Sequence, residues 1–338
     1  MMTENNVSLK LYNTFGISVK ARSIIHFEQQ NEILDYFKNN WNFHEPFLII
    51  GEGSNILFRN DYNGIVFHPI HRGIHKIKED QKYVWLYAEG GENWDHFVEY
   101  CVQNNFGGVE NLSFIPGTVG ATPVQNIGAY GMEVSETIEE VKALDLQTAQ
   151  IVYFSNEDCK FSYRNSIFKQ RFKNRYFILG VSFRLTKNPS ALTEYGALKE
   201  EMKKYAENSI QNVRKAVIDI RKKKLPDPQK IGNGGSFFKN PVIPEYRFQK
   251  HLKKIPSMPY YRLSKEKVKI PAAWLIEQCG WKGERINDAG VHKEQALVLV
   301  NHGNASGEEI YQLAQKVKAS VYKNFNIELE EEVRIISP

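Results

Sequence analysis

The segment 104–131, NNFGGVENLSFIPGTVGATPVQNIGAYG, constrains this chain more than any other stretch. Its 28 residues hold six glycines and two prolines, which excludes a long helix or an uninterrupted central strand. Yet it carries Phe, Leu, Ile, Val and Tyr and very few charges, unlike a flexible linker. The residues describe an ordered loop with a ligand to wrap. Backbone approaches a ligand closely only where side chains are small. Ile115, Pro116, Gly117, Gly120, Ala121 and Thr122 have that character, and Asn126, Gly128, Ala129 and Tyr130 extend it.

A second Gly-rich turn lies upstream. The apolar run Phe47–Ile50 reads as a buried strand, and it enters Gly51, Glu52, Gly53, Ser54 and Asn55. A dinucleotide fingerprint would have a third glycine and a following helix. Here the third glycine is missing, with Ile56 in its position, and RNDYNG soon after is turn chemistry. The stretch is either a plain tight turn or a nest whose free backbone N–H groups bind phosphate. Two such loops from separate places point to one extended, phosphate-bearing cofactor. A set of turns in a strand-rich domain is the alternative.

The flanking pattern is a mixture of both element types, an α+β chain. Asn31–Trp41 reads as a short helix. Gly64–Phe67 and Tyr83–Ala88 read as strands. A helix follows with Asn93 as N-cap and Trp94, Phe97, Val98, Cys101 and Val102 on its apolar face. Glu139–Phe154 resembles a hairpin, Tyr176–Leu185 a long strand and Ser209–Lys222 a helix. Ala272–Cys279 reads as a helix and Ala296–Val300 as a strand. Ser306 and Glu309 form a capping box before another helix. A last strand is expected over Ile327–Ile336. Its apolar residues Ile327, Leu329, Val333 and Ile335 alternate with Glu328, Glu330, Glu332 and Arg334. Glu331 falls on the apolar side, which calls for a bulge or an edge. A chain of 338 residues allows two or three domains, with a break near residue 222 where KLPDPQKIGNGG begins.

Several function classes drop out. Cys101, Cys159 and Cys279 are odd in number and widely spaced, so neither a disulfide framework nor a zinc knuckle is supported. No run of 18 apolar residues exists, and the N-terminus lacks the apolar core of a signal peptide. A cytoplasmic location and no membrane association are expected. The net charge of +5 suits a handler of anionic small molecules and is too small to imply nucleic acid. His68, His71, His75 and His96 do not form a metal set, because Pro69 and Gly73 break any helix that would align them.

Single residues leave choices open. Arg164, in FSYRNS, is a surface residue or a carboxylate clamp. Lys224 closes the basic run RKKK, either a solvated helix end or a phosphate contact. Ser236, in NGGSFFKNP, has no GxSxG elbow around it and reads as a turn or phosphate residue. An acid of the last strand, if buried beside a ligand, would stay protonated.

Taken in order, nine motifs converge: YNTFGI (12–17), LIIGEGSNILF (48–58), IPGTVGATPVQNIGAYG (115–131), FSYRNSIFK (161–169), KLPDP (224–228), GNGGSFFKNP (232–241), AAWLIEQCGWKG (272–283), QALVLVN (295–301) and EVR (332–334). From about residue 10 to residue 336 the chain resembles the UDP-N-acetylenolpyruvoylglucosamine reductases, also called UDP-N-acetylmuramate dehydrogenases. The resemblance implies an FAD-binding fold of the vanillyl-alcohol oxidase type. It divides the chain into FAD-binding subdomains over 1–70 and 71–222 and a substrate domain over 223–325, with the C-terminal strand 326–338 joining the first. It implies that NADPH reduces FAD, which reduces the enolpyruvyl ether of UDP-N-acetylglucosamine to UDP-N-acetylmuramate, a peptidoglycan precursor. NADPH and the sugar nucleotide would share one pocket in a monomer.

The resemblance also assigns roles. Arg164, Ser236 and Glu332 take the catalytic positions, with Ser236 as proton donor. Gly51–Asn55 and the segment 115–131 take the FAD contacts. Tyr163, Tyr195, Lys224, Asn240, Lys269 and Gln295 take the substrate contacts. TEYGAL (193–198) matches the subtype with an extra tyrosine loop. Two departures stand out: Glu331 where the family often has proline, and Gly234 in place of a common alanine. Another flavin oxidoreductase of the same fold, or a non-catalytic nucleotide-sugar or nucleic-acid binder, are the competing readings.

Overall fold

The computed structural model describes residues 1–41 and 44–337; Pro338, the end of the expected C-terminal segment, and residues 42 and 43 of the expected first subdomain lie outside them. The chain divides into two compact units. The first contains Met1–Val7, Ala21–Gly53 and Asn63–Lys223; the second contains Ser8–Lys20, Ser54–Tyr62 and the chain from Lys224 to the C-terminus. The crossing at Lys223 falls beside the break expected near residue 222.

The first unit is built on two sheets. One orders Met2–Ser8, Lys20–Phe27, Tyr62–Pro69 and Phe47–Ile49 side by side, the last two parallel with Phe47 opposite Ile65. Helix Gln30–Asn39 covers it and buries Ile33 and Phe37. The other is antiparallel, in the order Gln150–Ser155, Ile138–Asp145, Tyr176–Thr186, Tyr83–Glu89, Ile74–Glu79. Its central strand Tyr176–Thr186 is buried on both faces. Phe177 and Leu179 join an aromatic cluster with Phe27, Phe37 and Phe67, while Val181, Phe183 and Leu185 pack with Trp94 and Phe97. That double burial is why the strand reads as a continuous apolar run instead of an alternation.

Helix Trp94–Gln103 forms as its sequence requires. The Asn93 side chain accepts from the His96 N–H, and the five apolar residues of its face are buried. Helices Gly196–Met202 and Ile210–Lys224 pack through Leu198, Met202, Val213, Val217 and Ile220. No helix among the described residues is long and apolar enough to cross a membrane.

In the second unit an antiparallel sheet runs Gly232–Ser236, Val298–Asn301, Ala289–Val291, Arg285–Ile286. Helix Gly307–Phe325 begins at the expected capping box of Ser306 and Glu309 and buries Ile310, Leu313, Val317 and Val321. A small sheet of Val242–Pro244, Lys267–Lys269 and Tyr261–Arg262 carries helix Glu245–Lys254 beside it.

The expected last strand is shorter than its pattern. Only Arg334–Ile336 is a strand, parallel to Ile56–Phe58. Alternation holds at Ile327 and Leu329, but Val333 and Ile336 are both buried, so the phase slips. Just before the slip, the N–H groups of Glu332 and Val333 both point to the Phe237 carbonyl, at 2.8 and 3.4 Å. Two residues facing one is the signature of a bulge. Glu331, just before it, is half-buried and paired with Lys318 at 2.7 Å. Burial pushes its carboxyl up, but Lys318 and Gln315 outweigh that and hold it below the ordinary value. Glu331 is therefore kept ionised.

Candidate active site

In the first unit the two Gly-rich loops meet. The Glu52 carboxylate accepts from the Gly117 N–H at 2.8 Å and from the Asn93 side-chain amide at 2.5 Å. A Cβ on Gly51 would stand 2.6 Å from the Thr118 hydroxyl, and one on Gly120 would stand 2.9 Å from the Gly90 carbonyl. Gly53 and Gly117 have φ of +62° and +132°, conformations that disfavour any side chain. The smallness of these residues is thus a condition for the two loops to lie together.

One expectation fails here. The reading of two such loops as phosphate nests does not extend to 117 and 119–122, whose amides are taken. Gly117 N–H goes to Glu52, Val119 N–H to the Glu92 carbonyl and Gly120 N–H to the Gly90 carbonyl. Ala121 and Thr122 close a short turn on Thr118 and Val119. Buried backbone donors find partners first within the chain, and the loop's own shape consumes them.

The segment 126–131 is a platform. Gly128–Ala129 pairs with Met132–Glu133 across a two-residue turn, Tyr130-Gly131, whose φ values are both positive. Asn126 is wholly buried. Its amide donates to Glu133 at 2.7 Å and to the Ser162 carbonyl at 3.2 Å, and its oxygen accepts from the Ser135 N–H. On this platform lies the turn Ser162–Asn165, closed by reciprocal backbone bonds. Arg164 occupies its corner with φ +54°, a strained conformation for a non-glycine residue. Its guanidinium donates to the carbonyls of Gly128 and Asn126 and lies 5.4 Å from the Tyr163 ring. Tyr195 meets Tyr130 edge to face at 6.5 Å.

Arg221 was not singled out from the sequence. It reads there as the start of the solvated run RKKK. In the fold it donates to the Phe114 carbonyl at 2.9 Å and bonds the Tyr130 hydroxyl. Burial pushes its guanidinium below the ordinary value, and Arg164 acts in the same direction. The signal was present: Val213, Val217 and residue 221 step by four along one helix face.

In the second unit Ser236 and Glu332 are brought together through Phe237. The Phe237 N–H donates to the Leu297 carbonyl, and its carbonyl receives Glu332. Asn55 fastens the same segment: its side chain donates to the Glu332 carbonyl at 3.2 Å and its carbonyl accepts from Arg334. Gly235, with φ +69°, lets the chain turn into Ser236, and its N–H is held by the buried Asn233 side chain at 2.9 Å. A Cβ on Gly234 would stand 2.6 Å from the Phe15 ring, so this departure from alanine has a local reason. Lys239 pairs with the exposed Glu330 at 2.8 Å.

The expected substrate contacts divide between the two units. Tyr163 and Tyr195 belong to the first unit; Lys224, Asn240, Lys269 and Gln295 belong to the second. The Asn240 oxygen accepts from the Ala272 N–H at 2.8 Å, at the start of helix Ala272–Gln278. Lys269 lies 5.6 Å from the Tyr261 ring. The four histidines have local partners: His68 faces His26, His71 meets the Leu179 carbonyl, His96 meets Glu92, and His75 stacks on Tyr87. Among the described residues no group of three metal-ligating side chains could hold an ion.

Comparison with known proteins decides the family. Residues 21–155 match the FAD binding domain, and residues 227–336 match the C-terminal domain of UDP-N-acetylenolpyruvoylglucosamine reductase. The enzyme of that name from Flavobacterium johnsoniae is 46% identical over 99% of this chain and 100% of its own. The one from Amoebophilus asiaticus is 47% identical over the same shares. The chain belongs to the UDP-N-acetylenolpyruvoylglucosamine reductase family. The reductase of Thermus caldophilus, as a crystal structure, shares the fold over 100% of both chains with a TM-score of 0.69 at 21% identity. A reductase of this family is a flavoenzyme, and the first unit fits that cofactor. It holds two loops of small residues within contact of each other, tied by Glu52, with an arginine on the adjoining platform.

Proposed function

We propose that Arg164, Ser236 and Glu332 carry the reduction step of this reductase. The chain is an NADPH-dependent, FAD-containing oxidoreductase that reduces the enolpyruvyl ether of UDP-N-acetylglucosamine to UDP-N-acetylmuramate, in peptidoglycan precursor synthesis. FAD, held by Gly51–Asn55 and the segment 115–131, would supply hydride gained from NADPH to the terminal methylene carbon of the enolpyruvyl group. The chain's residues meet the charge that results. It develops on the carbon beside the carboxylate and spreads into that carboxylate. Arg164 is permanently charged and forked, which suits a carboxylate clamp, and a fixed cation stabilises charge where it appears. Glu332, in its acid form, donates a hydrogen bond to the same group. Ser236 Oγ gives its proton to the carbon and sets the face on which it arrives.

The observation that supports this reading is that Phe237, the residue after Ser236, accepts the Glu332 N–H at its carbonyl, so the two backbone segments lie side by side. The cofactor contacts are assigned to Gly51–Asn55 and 115–131. Glu52 and Asn126 serve there through the loop geometry they hold. Tyr163, Tyr195, Lys224, Asn240, Lys269 and Gln295 are assigned to the sugar nucleotide. NADPH and the sugar nucleotide occupy one pocket in turn, in a monomer working in the cytoplasm. Inhibition of flavin reduction by excess sugar nucleotide would support the shared pocket.

Ser236→Ala tests the proton donor. Flavin reduction by NADPH should proceed at nearly the wild-type rate. Reoxidation by the enolpyruvyl substrate should slow by about 10²–10⁴-fold, the usual size of a general-acid contribution. Equal slowing of both half-reactions would refute the role.

A further inference from the structure

Asn111 lies in the single-turn helix Glu110–Leu112, on the loop that precedes the cofactor segment. That turn is firmly built. The Glu110 carboxylate accepts from the N–H groups of Gly108 and Val109, and the Leu112 carbonyl accepts from the Trp94 ring at 2.9 Å. The Asn111 side chain is wholly buried. Its amide nitrogen donates to the Tyr130 carbonyl at 2.9 Å and to the Leu192 carbonyl at 3.0 Å, using both of its hydrogens. Its oxygen has no hydrogen-bond partner among the described residues. A buried, unpaired carbonyl costs free energy, so the amide's worth here lies in its two donors.

Those two donors reach different parts of the site. Tyr130 belongs to the cofactor segment. Leu192 stands three residues before Tyr195, in a stretch without regular secondary structure. The Leu192 side chain is 51% exposed, so packing of that side chain does not fix the stretch. The Tyr195 ring in turn lies against the turn after Tyr130: a Cβ on Gly131 would stand 3.3 Å from its Cδ2. We propose that Asn111 is a positioning residue that locks the Tyr195 loop in register with the cofactor segment, and so sets the affinity for the UDP-sugar substrate. This rests on the assignment of Tyr195 to that substrate.

The test uses the holoenzyme and a double-mutant cycle with Tyr195→Ala. Asn111→Asp keeps the shape and removes both donated bonds. It should raise KM for the enolpyruvyl sugar nucleotide roughly tenfold, the equivalent of one hydrogen bond's worth. Flavin content and the rate of flavin reduction by NADPH should stay within about twofold of wild type. In the Tyr195→Ala background the same change should add nothing further, since the two act through one contact. Asn111→Ser, which keeps one donor, should fall between and serves if the Asp variant does not fold. An unshifted KM in the Asn111 variants, beside a raised KM in Tyr195→Ala, overturns the inference alone. An equal rise in both backgrounds also overturns it. A wild-type KM in Tyr195→Ala overturns the assignment of Tyr195, and the inference with it.

Discussion

Glu52→Gln is a near-isosteric change with a calculable effect on flavin binding. Both carboxylate oxygens face donors, the Gly117 N–H and the Asn93 amide. The backbone donor cannot invert. Asn93 cannot flip either, because its oxygen caps helix Trp94–Gln103 by accepting from His96 at 2.9 Å. A glutamine must therefore set its own NH2 against one of two donors, and a charge-assisted bond is lost. Such bonds contribute roughly 1.5–3 kcal/mol when well desolvated. Glu52 is an exposed residue, so about 1–1.5 kcal/mol is the reasonable share. The tie presents loops 51–53 and 117–118 as one surface before the cofactor arrives, so its loss falls on preorganisation. FAD affinity should drop by about five- to tenfold, and Glu52→Ala should fall at least as far. Reconstitution of apoprotein with FAD, followed by flavin fluorescence quenching, measures this directly. A wild-type dissociation constant in both variants would refute the reasoning.

Gly234→Ala should destabilise the second unit by about 1–3 kcal/mol, the range for overpacking, because its Cβ would meet the Phe15 ring at 2.6 Å. An unchanged thermal midpoint would show that Phe15 yields freely. His68 should make the protein less stable in mild acid. Burial, with His26 beside it, lowers its pKa from 6.5 to about 4. The unfolded chain then binds the proton more readily, so stability falls as pH drops from about 6.5 toward 4 and loses nothing further from this group below that. Partial exposure keeps the total below about 3 kcal/mol. Urea melts of wild type and His68→Asn at pH 7 and pH 4.5 should differ in slope, and parallel behaviour would exclude His68 as a cause.

Local elements were legible because local chemistry dictates them. Asn93 caps its helix, and Ser306 and Glu309 form their box, as the side chains alone require. The strand Tyr176–Thr186 was visible as an apolar run because both its faces are covered. What failed depended on distant partners. The Gly-rich amides seemed free because their acceptors, Glu52, Gly90 and Glu92, lie elsewhere in the chain. The final strand looked longer because its alternation hides the bulge made by Phe237. Arg221 was hidden in a run of four basic residues that reads locally as a solvated helix end. That residues 8–20 and 54–62 group with the C-terminal part is likewise a product of non-local pairing, such as Ile56–Phe58 with Arg334–Ile336. The three catalytic candidates came from nine weak motifs in register, since no single one of them specified the chemistry.

On this chain NADPH electrons pass through FAD to an enolpyruvyl ether. Holoenzyme reduced anaerobically with one equivalent of NADPH, then mixed with the enolpyruvyl sugar nucleotide, tests it most directly. The oxidised-flavin absorbance should return rapidly, with one equivalent of UDP-N-acetylmuramate carrying one solvent-derived hydrogen on the carbon beside the carboxylate. A flavin that stays reduced in the presence of saturating substrate would contradict it.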